Sequence, residues 1–139
     1  MLQQDLDNAI RLYEEGAYSA CISVLLEEAL TNGDPKLESV VGKILIDGMH
    51  RFGSDEEYLN WMQNATTEEW ELFCIKYQAD IEQGVQLLKS ASDKGNPFAS
   101  MNLVTYYNCP FWRTCSENNQ TLCETYARRV EDQQKNYVW

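Results

Sequence analysis

The strongest constraint in this sequence is a tight corner that occurs twice between apolar stretches. It reads Gly-Asp-Pro at 33–35 and Gly-Asn-Pro at 95–97, 62 residues later. Glycine accepts the left-handed conformation that ends a helix, and the Asp or Asn that follows can cap the next helix. Proline in the first helical position loses no hydrogen bond, because its missing N–H would be unpaired there. Each corner therefore predicts a helix, a tight turn and a second helix.

The remainder of the chain is also helical in its spacing. After the first corner, one predicted helix face carries the apolar residues Leu37, Val40, Val41, Ile44 and Leu45. Two further helices are predicted from capping boxes, in which Ser54 pairs with Glu57 and Thr66 pairs with Glu69. Sustained strand alternation does not occur. The sequence therefore predicts an all-α fold.

The segments around the corners, ACISVLLEEALTNGDPKLESVVGKILIDG and DIEQGVQLLKSASDKGNPFASMNLVTYY, resemble SEL-one-like repeats, which are relatives of the tetratricopeptide (TPR) repeat. The first copy matches the family pattern at Ala20, Leu25, Leu26, Ala29, Gly33, Asp34, Gly42 and Gly48. The second copy matches it at Leu87, Leu88, Ala91, Gly95, Asn96, Ala99, Leu103 and Tyr107. The resemblance implies stacked helix hairpins in a short α-solenoid that binds other proteins.

The length of 139 residues fits a single domain over 1–139. The resemblance implies repeat-like segments at 17–48 and 80–110. Because the two copies lie farther apart than the family's repeats, we expect an inserted or degenerate helical segment at 49–79. A C-terminal helix is predicted over about 116–134.

The charge of the chain indicates the kind of partner it would meet. Its 22 acidic and 11 basic residues give a net charge of −11. Residues 1–57 carry 12 acids and four bases, a net charge of −8. Such a surface repels nucleic-acid phosphates and speeds encounter with a basic protein. No apolar run approaches the roughly 18 residues of a membrane-spanning helix. We therefore expect a protein partner with a basic face, no nucleic acid and no membrane insertion.

Catalytic patterns are absent from the sequence. The single histidine, His50, falls at a predicted helix end, where an imidazolium would interact favourably with the helix dipole. A glycine-rich phosphate loop, a G-x-S-x-G elbow and an H-E-x-x-H motif do not occur. We therefore expect no catalysis, no metal and no cofactor.

The five cysteines contain no C-x-x-C pair. The spacing of Cys115 and Cys123 resembles that of the disulfide-bridged branch of the repeat family, which implies a possible bridge between them. A bridge would favour a bacterial periplasm, and reduced thiols would favour the cytoplasm. An odd number of cysteines leaves at least one thiol free.

In the segment between the repeats, acidic residues stand directly before Tyr58 and before Trp70. Trp and Tyr concentrate binding energy at protein interfaces, and carboxylates beside them would suit a basic partner. The predicted partner-binding residues are Asp55, Glu56, Glu57, Tyr58, Trp61, Glu68, Glu69 and Trp70.

The function predicted from size and charge is a bacterial immunity or inhibitor protein that neutralises a cognate toxin or effector by occluding it. A first alternative, implied by the repeat family, is a cell-envelope adaptor or regulator with several partners. A second alternative is an enzyme, because some cysteine-rich members of the family are linked with β-lactams. The Ser-x-x-Lys motif that such chemistry uses is missing here.

Overall fold

The computed structural model describes residues 2–108 and 119–136, and every regular element in these ranges is helical. The α-helices are α1 (Gln3–Glu14), α2 (Tyr18–Asn32), α3 (Pro35–Asp47), α4 (Asp55–Asn64), α5 (Thr67–Lys76), α6 (Gln78–Asp93), α7 (Pro97–Tyr107) and α8 (Asn119–Asn136). A 3-10 turn at Met49–Arg51 follows α3. With no strand in the described ranges, the prediction of an all-α fold is confirmed.

Both corners have the geometry that their residues predict. Gly33 and Gly95 are left-handed, with φ of 65° and 97°. The side chains of Asp34 and Asn96 each accept a backbone N–H of the following helix at 3.0 Å. A proline begins α3 and α7. The local residues alone therefore account for both helix–turn–helix units.

The helices pack mainly as an antiparallel array in the order α1, α2, α3, α6, α7 and α8. The most extensive contact joins α3 to α6, although α4 and α5 lie between them in the sequence. This contact depends on two glycines. A Cβ on Gly42 would lie 2.8 Å from the carbonyl oxygen of Gly84, and a Cβ on Gly84 would lie 2.7 Å from that of Gly42. The two helix backbones therefore approach more closely than any other residue would allow.

Helix α6 connects two hydrophobic cores. The first core consists of Ala9, Cys21, Leu25, Ala29, Val41, Leu45 and Leu87. The second consists of Ile46, Ile81, Val85, Leu88, Ala91, Ala99, Leu103, Tyr107 and Tyr126. Because α6 contributes to both sets, the two corner units share one continuous interior.

A buried carboxylate ties the two corners together. The side chain of Glu38, on α3, is 5% exposed. It accepts hydrogen bonds from Ser90 Oγ at 2.7 Å and from Lys94 Nζ at 2.9 Å. The same ammonium group donates to the carbonyl oxygen of Gly33 at 2.7 Å. One lysine at the end of α6 therefore joins the first corner to the second.

The last helix is attached to α6 and α7 by polar contacts beside the second core. Gln133 donates to the carbonyl of Ser92 at 2.8 Å and accepts from Ser100 Oγ at 2.6 Å. Arg129 pairs with Asp93 at 2.7 Å. These bonds fix how α8 lies against the second corner. The first residues of the predicted C-terminal helix, 116–118, lie outside the described residues.

Candidate functional site

The α4–α5 hairpin lies beside the helix array and contains all eight of the predicted partner-binding residues. Because α3 packs directly on α6, the hairpin makes only limited contact with the helices of the array, mainly between α5 and α6. Its helices begin at the predicted caps. Ser54 Oγ accepts the N–H of Glu57, and Thr66 forms a complete capping box with Glu69.

One detail of the first cap differs from the prediction. The carboxylate of Glu57 accepts the backbone N–H of Gly53 at 2.9 Å, whereas a capping box requires the N–H of Ser54. The carboxylate of Glu69 accepts the N–H of Thr66 at 3.3 Å, as a capping box requires. Two of the five acidic residues predicted to contact a partner, Glu57 and Glu69, therefore accept backbone N–H groups at helix starts.

A cluster of six aromatic rings forms the inside of the hairpin. The ring centroids of Trp61 and Trp70 are 4.6 Å apart, and those of Trp61 and Phe73 are 4.7 Å apart. Phe73 also contacts Tyr77 at 4.8 Å. The cluster comprises Phe52, Tyr58, Trp61, Trp70, Phe73 and Tyr77. These contacts give two short helices an interior of their own.

The cluster is attached to the array at the end of α3. Gly48 caps α3 with φ of 74°, and a Cβ at this position would overlap the ring of Phe73. The guanidinium of Arg51 lies 3.8 Å from the centroid of the Tyr77 ring and pairs with the carboxylate of Asp80 on α6. The position of the hairpin is therefore set by a glycine, a cation–π contact and an ion pair.

His50 lies in the same junction. Its Nε2 is 3.7 Å from Asp80 Oδ2, but Arg51 already binds that carboxylate. Burial lowers the pKa of His50, and the neighbouring charge of Arg51 lowers it further. Because the charged form of His50 is disfavoured, the favourable interaction of an imidazolium with the helix end, expected from the sequence, is weakened.

The predicted aromatic anchors point mostly into the hairpin. Tyr58 is 9% exposed, and Trp61 and Trp70 are half-buried against each other. The Tyr58 ring packs against Phe52, with centroids 5.5 Å apart, and its role in binding a partner stays a prediction. The aromatic spacing indicated a stripe but could not show which way the stripe faces.

The predicted acidic residues are exposed in the first turns of α4 and α5. There they stabilise the positive helix ends. Asp55 also approaches the turn between α1 and α2, where a Cβ on Gly16 would lie 2.8 Å from its Oδ2. Burial raises the pKa of Tyr18, and the carboxylate of Asp55 raises it further. The acidic end of α4 is therefore next to the first helix pair.

The exposed apolar residues of the hairpin were not among the predicted site residues. Leu72 and Ile75 on α5 are 66% and 70% exposed, and Leu59 and Met62 on α4 are 46% and 38% exposed. At about 100° per residue, Leu72 and Ile75 lie opposite the aromatic side of α5. Their spacing of three residues is present in the sequence, but the aromatic stripe was the stronger signal and was used for the prediction instead.

The described residues offer little for chemistry. No group of three or more His, Cys, Asp or Glu side chains there is placed to hold a metal ion. Cys21 is fully buried, and burial raises the pKa of its thiol. The thiol of Cys123 on α8 donates a hydrogen bond to the carbonyl oxygen of Val104, with 3.7 Å between sulfur and oxygen. Cys115 lies outside the described residues, so the Cys115–Cys123 bridge stays a prediction.

In comparisons with protein-family models, curated proteins and solved structures, nothing matches the chain. Within residues 2–108 and 119–136, none of the helices has the length and apolar character needed to cross a membrane. The α-solenoid of SEL-one-like repeats stays a prediction.

Proposed function

We propose that the chain is a non-enzymatic protein-binding module, and specifically a bacterial immunity or inhibitor protein that occludes a cognate toxin or effector. The observation that carries this proposal is the outer face of α5. There Leu72 and Ile75 are about two thirds exposed, with Glu68 and Glu71 beside them on the same side of the helix. Neighbouring exposed apolar residues with a charged rim are typical of protein–protein contact sites.

The charge of the chain supports a basic partner. Glu68 and Glu71 are exposed on α5, and Asp55 and Glu56 are exposed in the first turn of α4. The whole chain carries a net charge of −11. Opposite charge on a partner would steer association, and the aliphatic side chains would then slow dissociation.

The attachment of the hairpin supports a role in presenting this face. The aromatic cluster holds α4 and α5 against each other, while α3 and α6 close the array without them. A partner can therefore cover the outer face of α5 without disturbing the two hydrophobic cores. The resemblance to SEL-one-like repeats, a protein-binding family, favours the same class of function.

Affinity capture with paired variants tests the proposal. The hairpin variant is Leu72→Ser with Ile75→Ser, and the matched control is Leu2→Ser with Leu30→Ser, whose side chains are 71% and 60% exposed. We expect the wild type and the control to retain one basic protein at equal stoichiometry, and the hairpin variant to lose it. Circular dichroism of each bait checks that the variants remain folded.

The captured protein then distinguishes a neutraliser from an adaptor. We expect it to arrest growth when it is expressed alone, and co-expression of the wild-type chain, but not of the hairpin variant, to restore growth. Several weakly retained proteins would instead support the cell-envelope adaptor. Equal loss of the partner by the control variant would show that α5 is not the contact surface.

A further inference from the structure

A groove of about 280 Å³ lies between α1 and α2 and is lined by seven residues of these two helices. Its apolar lining includes Ala9, Leu12 and Val24. Its charged lining consists of Asp5 from α1 and Glu27 from α2, both exposed. The groove therefore combines an apolar floor with one carboxylate on each helix.

Basic side chains do not line this groove. The two remaining lining residues, Ala20 and Asn8, carry no charge. The guanidinium of Arg11, the basic residue of α1, is bound to Glu15 at 2.9 Å and to the side-chain oxygen of Asn8 at 2.6 Å. The lining of the groove therefore carries two negative charges, from Asp5 and Glu27, and no positive charge.

We propose that this groove binds one arginine side chain of a partner protein. The aliphatic stem would lie on the floor formed by Ala9, Leu12 and Val24, and the guanidinium would reach Asp5 and Glu27. Long basic side chains bury their stems on apolar surface while the charged end stays near water. A planar guanidinium is weakly hydrated and donates in several directions, which suits two carboxylates on separate helices better than an ammonium does.

The size of the groove supports a side chain as the occupant. Pockets for drug-sized molecules measure roughly 300–1,000 Å³ and enclose most of the ligand. A groove of about 280 Å³ that is open to solvent is small for such a molecule. This inference rests on the proposed function in one respect only, because the arginine would belong to the basic partner protein.

A small probe tests the groove without knowledge of the partner. Amide shifts of the ¹⁵N-labelled protein are followed during titration with N-acetyl-arginine N-methylamide. The matched probe is the corresponding citrulline amide, which has nearly the same shape and no charge. We expect saturable shifts at Ala9, Leu12, Ala20 and Val24 with the arginine probe only. Equal shifts with both probes, or no shifts at these residues, would overturn the proposal.

Two charge-matched variants complete the test. Asp5→Asn with Glu27→Gln removes the groove carboxylates, and Asp7→Asn with Glu28→Gln removes the same charge from the same helices outside the lining. For exposed ion pairs we expect the groove variant to weaken arginine binding roughly five- to tenfold. Equal weakening in both variants would show a general charge effect and overturn the assignment. None of these outcomes depends on α5, so failure here leaves the capture experiment to decide the proposed function separately.

Discussion

Gly42 and Gly84 show how single residues decide which helices meet. Glycine inside a helix costs roughly 1 kcal/mol relative to alanine, so two mid-helix glycines weaken α3 and α6 locally. At this crossing each glycine faces the carbonyl oxygen of the other. The missing side chains allow the close packing of α3 on α6, and that packing outweighs the loss of helix propensity.

Replacing Gly84 by alanine should therefore destabilise the protein. The new Cβ would lie 2.7 Å from a backbone oxygen and 2.8 Å from Cγ1 of Ile46, and the backbone cannot move aside easily. Overpacking of this kind costs about 2–3 kcal/mol, more than the propensity that alanine regains. Urea unfolding should show a lower midpoint with an unchanged slope.

Gly95→Ala is the matched control, because nothing lies within 4 Å of the Cβ position there and only the φ of 97° opposes alanine. We expect it to cost about 1–2 kcal/mol. A Gly84→Ala variant that is as stable as the wild type would show that α3 and α6 do not cross so closely.

At the scale of elements, Glu38 connects two helix hairpins that the sequence keeps apart. Its carboxylate binds Ser90 and Lys94, and Lys94 also binds the carbonyl of Gly33. The carboxylate is buried, so losing the lysine would leave its charge without an ion partner, which is costly. The relative position of the two corners therefore depends on this carboxylate.

We expect Lys94→Ala to lower the free energy of unfolding by about 3 kcal/mol, because it leaves the carboxylate of Glu38, which is 5% exposed, without its ion partner. Glu38→Ala should cost less, because the Lys94 side chain is 42% exposed and water can replace its lost contact. Glu82→Ala, an exposed glutamate on α6 that accepts from Gln78, should change stability by less than about 0.5 kcal/mol. Chemical denaturation of the three variants measures this order, and equal losses for Glu38 and Glu82 would contradict it.

Helix α5 illustrates why the candidate site was only partly predictable. Its capping box and acidic first turn are local features, and both are present as the sequence predicts. Its apolar residues lie on two sides, with Trp70 and Phe73 inside and Leu72 and Ile75 outside. Local spacing describes both sides, but only contact with α4 shows which one is buried.

At the scale of the whole molecule, the excess of acidic residues destabilises the folded state through repulsion. The chain has 22 acids and 11 bases, and residues 1–57 account for −8 of the net charge of −11. The surface pairs, such as Arg11 with Glu15 and Lys43 with Asp47, are exposed helix pairs that contribute little. Self-repulsion should therefore dominate the response to salt.

We expect the melting temperature to rise as sodium chloride increases from about 20 mM to about 300 mM, because screening shortens the range of repulsion. The expected rise is about 3–5 °C, which corresponds to about 1 kcal/mol. A variant with neutral residues at three exposed positions, Asp7→Asn, Glu14→Gln and Glu15→Gln, should melt higher at low salt and respond less. A melting temperature that falls with salt would show that attractive pairs dominate.

The local features of this protein can be derived from its sequence: the left-handed glycines, the Asp34 and Asn96 caps, the two proline starts, and the all-α class. These depend on residues within a few positions of one another, so their chemistry can be read along the chain. Three features could be seen only in the folded protein: α3 packs on α6 past the hairpin, Glu38 is buried, and Tyr58 faces inward. Burial and close approach arise between residues far apart in sequence, and their energies are settled only when the helices pack.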